Sequence, residues 1–103
     1  MWIVLNKSFL SIVENRNNKI ELLVRSRVKG DIEKVFSEAE VFEDNNADYK
    51  YRSYIDRKIV ANTISKELLS INYDNFKNSV SKEENFRHNA YVNVWSALHK
   101  MQK

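Results

Sequence analysis

The segment YKYRSYIDRK, residues 49–58, gathers three tyrosines, four basic residues and a single acid. Read as a strand, it sends alternate side chains to opposite faces. Tyr49, Tyr51, Ser53 and Ile55 fall on one face, and Lys50, Arg52, Tyr54 and Asp56 on the other. A second stretch, KIELLVRSRV (19–28), alternates in the same way, with Ile20, Leu22, Val24 and Val28 against Glu21, Leu23, Arg25 and Arg27. If helices cover the apolar face, the two strands side by side display Arg25, Arg27, Lys50, Arg52 and Tyr54 on the open face. Guanidinium and phenol groups so placed can hold phosphates and stack on unpaired bases. The same residues are also ordinary chemistry for a solvated strand, and Glu21 dilutes the positive charge.

Other residue clusters offer less. DNNAD (44–48) begins like a calcium loop, with Asp44, Asn46 and Asp48 at positions one, three and five. Position six is Tyr49, where glycine makes the bend, and position twelve is Ile55, where a bidentate glutamate is required. An acidic, solvated segment is therefore expected there. His88 and His99 are the two histidines; eleven residues of helix separate them by about 16 Å, too far to share a metal. Neither sits in an H-E-x-x-H pattern, and no nucleophile or second catalytic group stands at a suggestive spacing. No catalytic residue, metal site or cofactor is expected, and the chain reads as a non-catalytic binding protein.

His88, Tyr91, Trp95 and His99 share one stripe of a helix expected over about 82–102. The neighbouring stripe of Phe86, Ala90, Val94, Leu98 and Met101 is expected to face the core. A helix apolar over so wide an arc is either deeply buried or meets a partner, and Tyr and Trp recur at interface hot spots. This helix is a candidate protein-interaction surface, with a homodimer as one form. The acidic segment carrying Glu40, Glu43, Asp44 and Asp48 is a second candidate surface.

The elements that must hold these groups follow from composition and periodicity. With 103 residues, 43% apolar and 30% charged, the chain is expected to form one domain spanning 1–103. There is one glycine, Gly30, and no proline, which argues against a turn-rich sandwich or barrel and against phosphate-cradling glycine loops. Asn15, Asn17, Asn18, Asn45 and Asn46 are left to make the turns. Without cysteine, disulfides, thiolate metal sites and a cysteine nucleophile are excluded. No apolar run approaches the ~20 residues of a membrane span. MWIVLNKSFL lacks a basic start before its apolar residues, so a cytoplasmic location is expected and no membrane partner. The net charge of +3 is unevenly laid out. Residues 1–30 hold six basic and two acidic groups, 31–48 one and seven, and 49–103 ten and five.

Strands are expected at 2–6, 9–14, 19–28 and 49–55, with the first two in a hairpin over Lys7–Ser8. Asp31 is expected to cap a helix bearing Ile32, Val35 and Phe36. Asp56 caps a second over about 57–70, bearing Val60, Ile64 and Leu68. Asp74 would cap a turn in the bridge 71–80, and Ser81 with Glu84 forms a capping box for the last helix. The order β-β-β-α-β-α-α gives an α+β two-layer domain, an antiparallel sheet of about four strands with helices on one face.

MWIV with FLSIVE, LLVRSRVKGDIE, ADYKYR, INYDNFK and RHNAYVNVWSAL together resemble a family of small uncharacterised bacterial proteins. The resemblance spans nearly the whole chain; it implies a bacterial, phage or mobile-element source and supplies no site residues. Three functions are therefore weighed. The one expected first is a protein-interaction module, an adaptor or inhibitor with a protein partner, using the last helix or the acidic segment. A second is a single-stranded nucleic-acid binder using the basic sheet face. A third is a phage-borne inhibitor of a bacterial defence complex, its acids mimicking nucleic acid.

Overall fold

A computed structural model describes all 103 residues and shows a small α+β fold. The chain divides into two compact units, residues 1–71 and residues 72–103. In the first, five strands form one antiparallel sheet: β1 (Trp2–Val4), β2 (Phe9–Glu14), β3 (Glu21–Ser26), β4 (Phe42–Glu43) and β5 (Tyr51–Asp56). Their spatial order is β1-β2-β3-β5-β4. Short polar turns set the register. Leu5 N–H donates to the Ser8 carbonyl and closes the β1–β2 hairpin. Asn15 and Asn18 accept from the backbone N–H groups of Asn17 and Ile20 and close β2–β3. These are the asparagine turns that a chain nearly free of glycine must use. Ile20 lies in that turn and is exposed.

Alternation buries one face of the sheet. Leu10, Ile12, Val24 and Ile55 form the core with Ile32, Val35, Phe36 and Val60. Val60 belongs to α1 (Arg57–Leu69), whose N-cap Asp56 accepts from the N–H groups of Lys58 and Ile59. Ile64 also packs on this core, but Leu68, one turn further on, is exposed. Between α1 and the β1–β2 side of the sheet lies an apolar groove of about 550 Å³, lined by Ile3, Ile12, Leu22, Val60, Ile64 and Leu68.

Two expectations about this unit are corrected. Residues 31–35 form consecutive turns that lead into Phe36, not an α-helix. The Asp31 carboxylate accepts from Phe9 N–H at the start of β2, 3.0 Å away, and its carbonyl accepts from Ser8 Oγ. With its side chain engaged by a neighbouring strand, Asp31 cannot cap a helix of its own, and Ile32, Val35 and Phe36 reach the core from turns. Gly30 just before it, with φ of 94°, is the one residue of positive φ. The acidic segment 40–48, expected as a connection, contains β4, which adds a fifth strand at the sheet edge.

The second unit contains α2 (Phe76–Ser79) and α3 (Asn85–His99). Asn75, not Asp74, caps α2, its side chain accepting from Asn78 N–H. The capping box does not close: Ser81 Oγ accepts from Glu83 N–H, and the Glu84 carboxylate pairs with Arg87 at 3.0 Å. Rings of Tyr73, Phe76 and Tyr91 pack in series, with centroids 6.1 and 5.7 Å apart. No helix in the structure is long and apolar enough to cross a membrane.

Candidate nucleic-acid interface

The face of the sheet opposite the core is built by register. Trp2 pairs with Ser11, Ser11 with Arg25, Arg25 with Arg52, and Arg52 with Phe42. Residues directly opposite one another share a face. The five therefore form one straight row across all five strands: aromatic, hydroxyl, guanidinium, guanidinium, aromatic. Four inter-strand steps of about 4.8 Å make the row roughly 19 Å long. Leu23 pairs with Tyr54 one pleat along, and the Tyr54 ring stacks on Phe42 at 5.7 Å and 30°. At the other end the Trp2 ring meets Phe9 edge-on at 6.0 Å. Trp2 is 72% exposed and Tyr54 48%, so both ends of the row present aromatic surface to solvent.

Between them lie three arginines. The guanidiniums of Arg25 and Arg27 sit over the ring of Tyr49, 4.7 and 4.2 Å from its centroid, and that ring is only 4% exposed. Each arginine is anchored by one short bond. Arg25 Nη2 donates to Ser11 Oγ at 2.7 Å, Arg27 Nη1 to the Asp48 carbonyl at 2.8 Å, and Arg52 Nε to the Tyr49 carbonyl at 3.1 Å. All three acceptors are neutral, and none of the three arginines has a carboxylate partner. Glu21, on the same face, turns to the amide groups of Asn15 and Asn18. Like charges directly opposite in an antiparallel pair destabilise it, so Arg25 facing Arg52 without a counterion opposes the stability of the sheet. Arg25 Nε is in addition buried with no hydrogen-bond partner, a state that costs about 1–3 kcal/mol for a polar group.

Arg25, Arg27, Arg52 and Tyr54 are thus brought together as the alternation predicts. Lys50 is separate, since its Nζ lies over the ring of Tyr51, which packs against the core on the other face. Tyr49 is corrected in the opposite sense. It is buried, but beneath Arg25 and Arg27 and against Phe9, not in the helix-side core. Residues 49–50 precede the start of β5, and the turn held by Asp44 and Asp48 resets the alternation there. Trp2, Phe9 and Phe42 were not singled out by the sequence. MWIV and EVFE carry aromatic residues in short apolar or acidic stretches, and only their pairing partners show that they end the row.

The other candidates are dispersed. Asp44 and Asp48 accept from nearby backbone N–H groups, those of Asn46 and Tyr49. Glu40 contributes its carbonyl to Ser53 Oγ, and Glu43 lies in β4 opposite Tyr51. On α3 the expected inward stripe is reversed: Phe86, Ala90, Val94, Leu98 and Met101 are all exposed, and Arg87 and Tyr91 are buried. Arg87 tolerates burial because it pairs with Glu84 and donates to Tyr91 Oη. His88 is half-buried. Trp95 is 51% exposed, with the His99 ring parallel to it at 5.4 Å and Lys77 Nζ 4.3 Å from its centroid.

The basic face has one chemical capacity above the others. Anchored guanidiniums lose little freedom on binding an anion, and exposed rings at both ends offer stacking surfaces. No protein-family model, curated protein or solved structure matches this chain, so the functional reading rests on this geometry.

Proposed function

We propose that the protein is a non-catalytic binder of single-stranded nucleic acid and that the open sheet face is its binding surface. The observation that carries this reading is the row Trp2–Ser11–Arg25–Arg52–Phe42, with two arginines side by side and no carboxylate to neutralise them. A sheet with only its own stability to serve would place an acid or a threonine opposite Arg25. Phosphate oxygens would satisfy the guanidiniums, and unpaired bases would stack on the exposed rings. Duplex bases are already stacked on one another and have no face to offer such rings. The test is fluorescence anisotropy with labelled single-stranded RNA and DNA at low and moderate salt, using the intact protein and the Arg25→Ala/Arg52→Ala variant. Salt-sensitive binding that the double substitution abolishes supports the reading. Absence of binding at low salt, or equal binding by the variant, ends it.

A second reading is favoured by one observation. Phe86, Ala90, Val94, Leu98 and Met101 recur every three or four residues from the start of α3 into the turn that follows it and are exposed, as is Trp95. Glu83 and Glu84 stand at the start of this helix, and Lys100 and Lys103 follow its end. Antiparallel pairing with a second copy would set opposite charges together while covering the stripe. Under this reading the protein is an interaction module that acts as a homodimer. Sedimentation equilibrium at micromolar concentration should then give twice the monomer mass, and Leu98→Asp should restore the monomer.

A further inference from the structure

The row also has a length and a direction, and from these we infer how the ligand lies. The inference rests on the nucleic-acid reading above. We propose that a single strand crosses the sheet perpendicular to its β-strands, with phosphates on Arg25 and Arg52 in the row and on Arg27 beside it, and one base stacked at each end, on Trp2 and on the Phe42–Tyr54 pair. The register alone puts the groups of the row in line. The basic groups are central and the exposed aromatics terminal, so the two stacked bases cannot be neighbours in a continuous stack. Phe9 and Tyr49 do not serve as platforms. Phe9 is half-buried against Trp2 and Tyr49, and Tyr49 is covered by Arg25 and Arg27.

The span sets the footprint. The roughly 19 Å between Trp2 and Phe42 follows from strand spacing. A duplex strand advances about 3.4 Å per nucleotide, and a strand with its bases splayed apart advances roughly 6 Å. The row thus accommodates about three to four splayed nucleotides, near the small end of known single-strand site sizes. A ligand of two nucleotides would reach the arginines and one platform only.

Two measurements test this. The first titrates the unaltered protein with labelled oligo-dT and oligo-U of two to eight nucleotides at low salt. Affinity should rise steeply to about four nucleotides and then only as the number of equivalent registers grows. The two series separate DNA from RNA as the natural strand. The second uses Trp95→Phe, which leaves Trp2 as the single tryptophan and alters a half-exposed side chain. Trp2 emission should be quenched by oligonucleotides of four or more. Trp2→Ala and Phe42→Ala should each weaken tetranucleotide binding about five- to hundredfold, the loss of one stacked base, and leave dinucleotide binding within about threefold of its original strength for at least one of them. Affinity that keeps climbing steeply to eight nucleotides overturns the footprint, and so does a bound tetranucleotide that leaves Trp2 emission unchanged. Absence of binding even to a twenty-nucleotide strand overturns the nucleic-acid reading itself, an outcome distinct from tight binding by a different path.

Discussion

Raising monovalent salt from about 50 to 200 mM should weaken single-strand binding about eighteenfold, because each cation that neutralises a phosphate adds about −0.7 to the slope of log K against log salt. The structure supplies the count of cations. Arg25, Arg27 and Arg52 have no carboxylate partner and lie on the face of the row, while Lys50 reaches over Tyr51 on the other side. Three cations give a slope of about −2.1. Arg27→Ala should reduce the slope to about −1.4, so that the same rise in salt weakens binding only about sevenfold. Arg27 is an apt position because it is exposed and lies just beyond β3, bonded to the Asp48 carbonyl. Lys50→Ala should leave the slope unchanged. Anisotropy titrations at four or five salt concentrations, with circular dichroism of each variant as the check on folding, give the three slopes. A flat response in the intact protein would refute the electrostatic reasoning. So would a Lys50→Ala slope reduced as far as that of Arg27→Ala, since the assignment of cations to faces would then be wrong.

Three further outcomes follow from the same structure. Arg52→Glu puts a carboxylate opposite Arg25, where an opposite-charge pair contributes about 0.2–1 kcal/mol; thermal melting should show an unchanged or raised Tm while nucleic-acid binding is lost, and a loss of more than about 2 kcal/mol would mark Arg52 as a structural residue. Asp31→Ala removes the acceptor of Phe9 N–H and should cost about 1–3 kcal/mol in denaturant unfolding, the penalty for an orphaned buried donor; no change in midpoint would show that water replaces the bond. The Glu14 carboxyl is held below its ordinary value by the hydrogen bond from Lys19 and then by that residue's charge, so its small stabilising contribution is present above the unfolded value and fades as pH falls through the lowered one. NMR titration should place Glu14 among the lower carboxylates, and Lys19→Ala should return it to the normal range.

What the sequence made legible was decided by how local each signal is. The period-two runs expected at 9–14, 19–28 and 49–55 and the Asp56 cap of α1 depend on near neighbours; the first strand and the cap are found as expected, the second narrows to Glu21–Ser26 and the third shifts to Tyr51–Asp56. Asp31 misleads because a carboxylate before an apolar run satisfies the local cap pattern, although its partner is Phe9, 22 residues earlier in the chain. On α3 the apolar spacing marks a stripe correctly but not which side is covered, and a paired Arg87 is buried in place of the leucine or valine that composition favours. Four of the five basic-face residues were legible from alternation. The row was not, because a row is a property of register. It exists only once turn lengths fix which residue of β1 stands beside Ser11 and which residue of the acidic segment stands beside Arg52.

Both borders of the sheet are its shortest strands, three residues in β1 and two in β4. A strand's outer border carries unpaired N–H and C=O groups that can recruit another chain, and brevity is one of the means by which natural sheets prevent this. The hazard is present here, because the six-residue β5 lies directly inside β4 and the face beside it bears exposed Phe42 and Tyr54. The Phe42–Glu43 pair is therefore a guard on self-assembly. It covers Tyr51 and Arg52 of β5 with a segment too short to template growth and places the charge of Glu43 at the rim. Proline at position 42 would remove one ladder donor of β4 and leave more of the β5 border open to pairing with another chain.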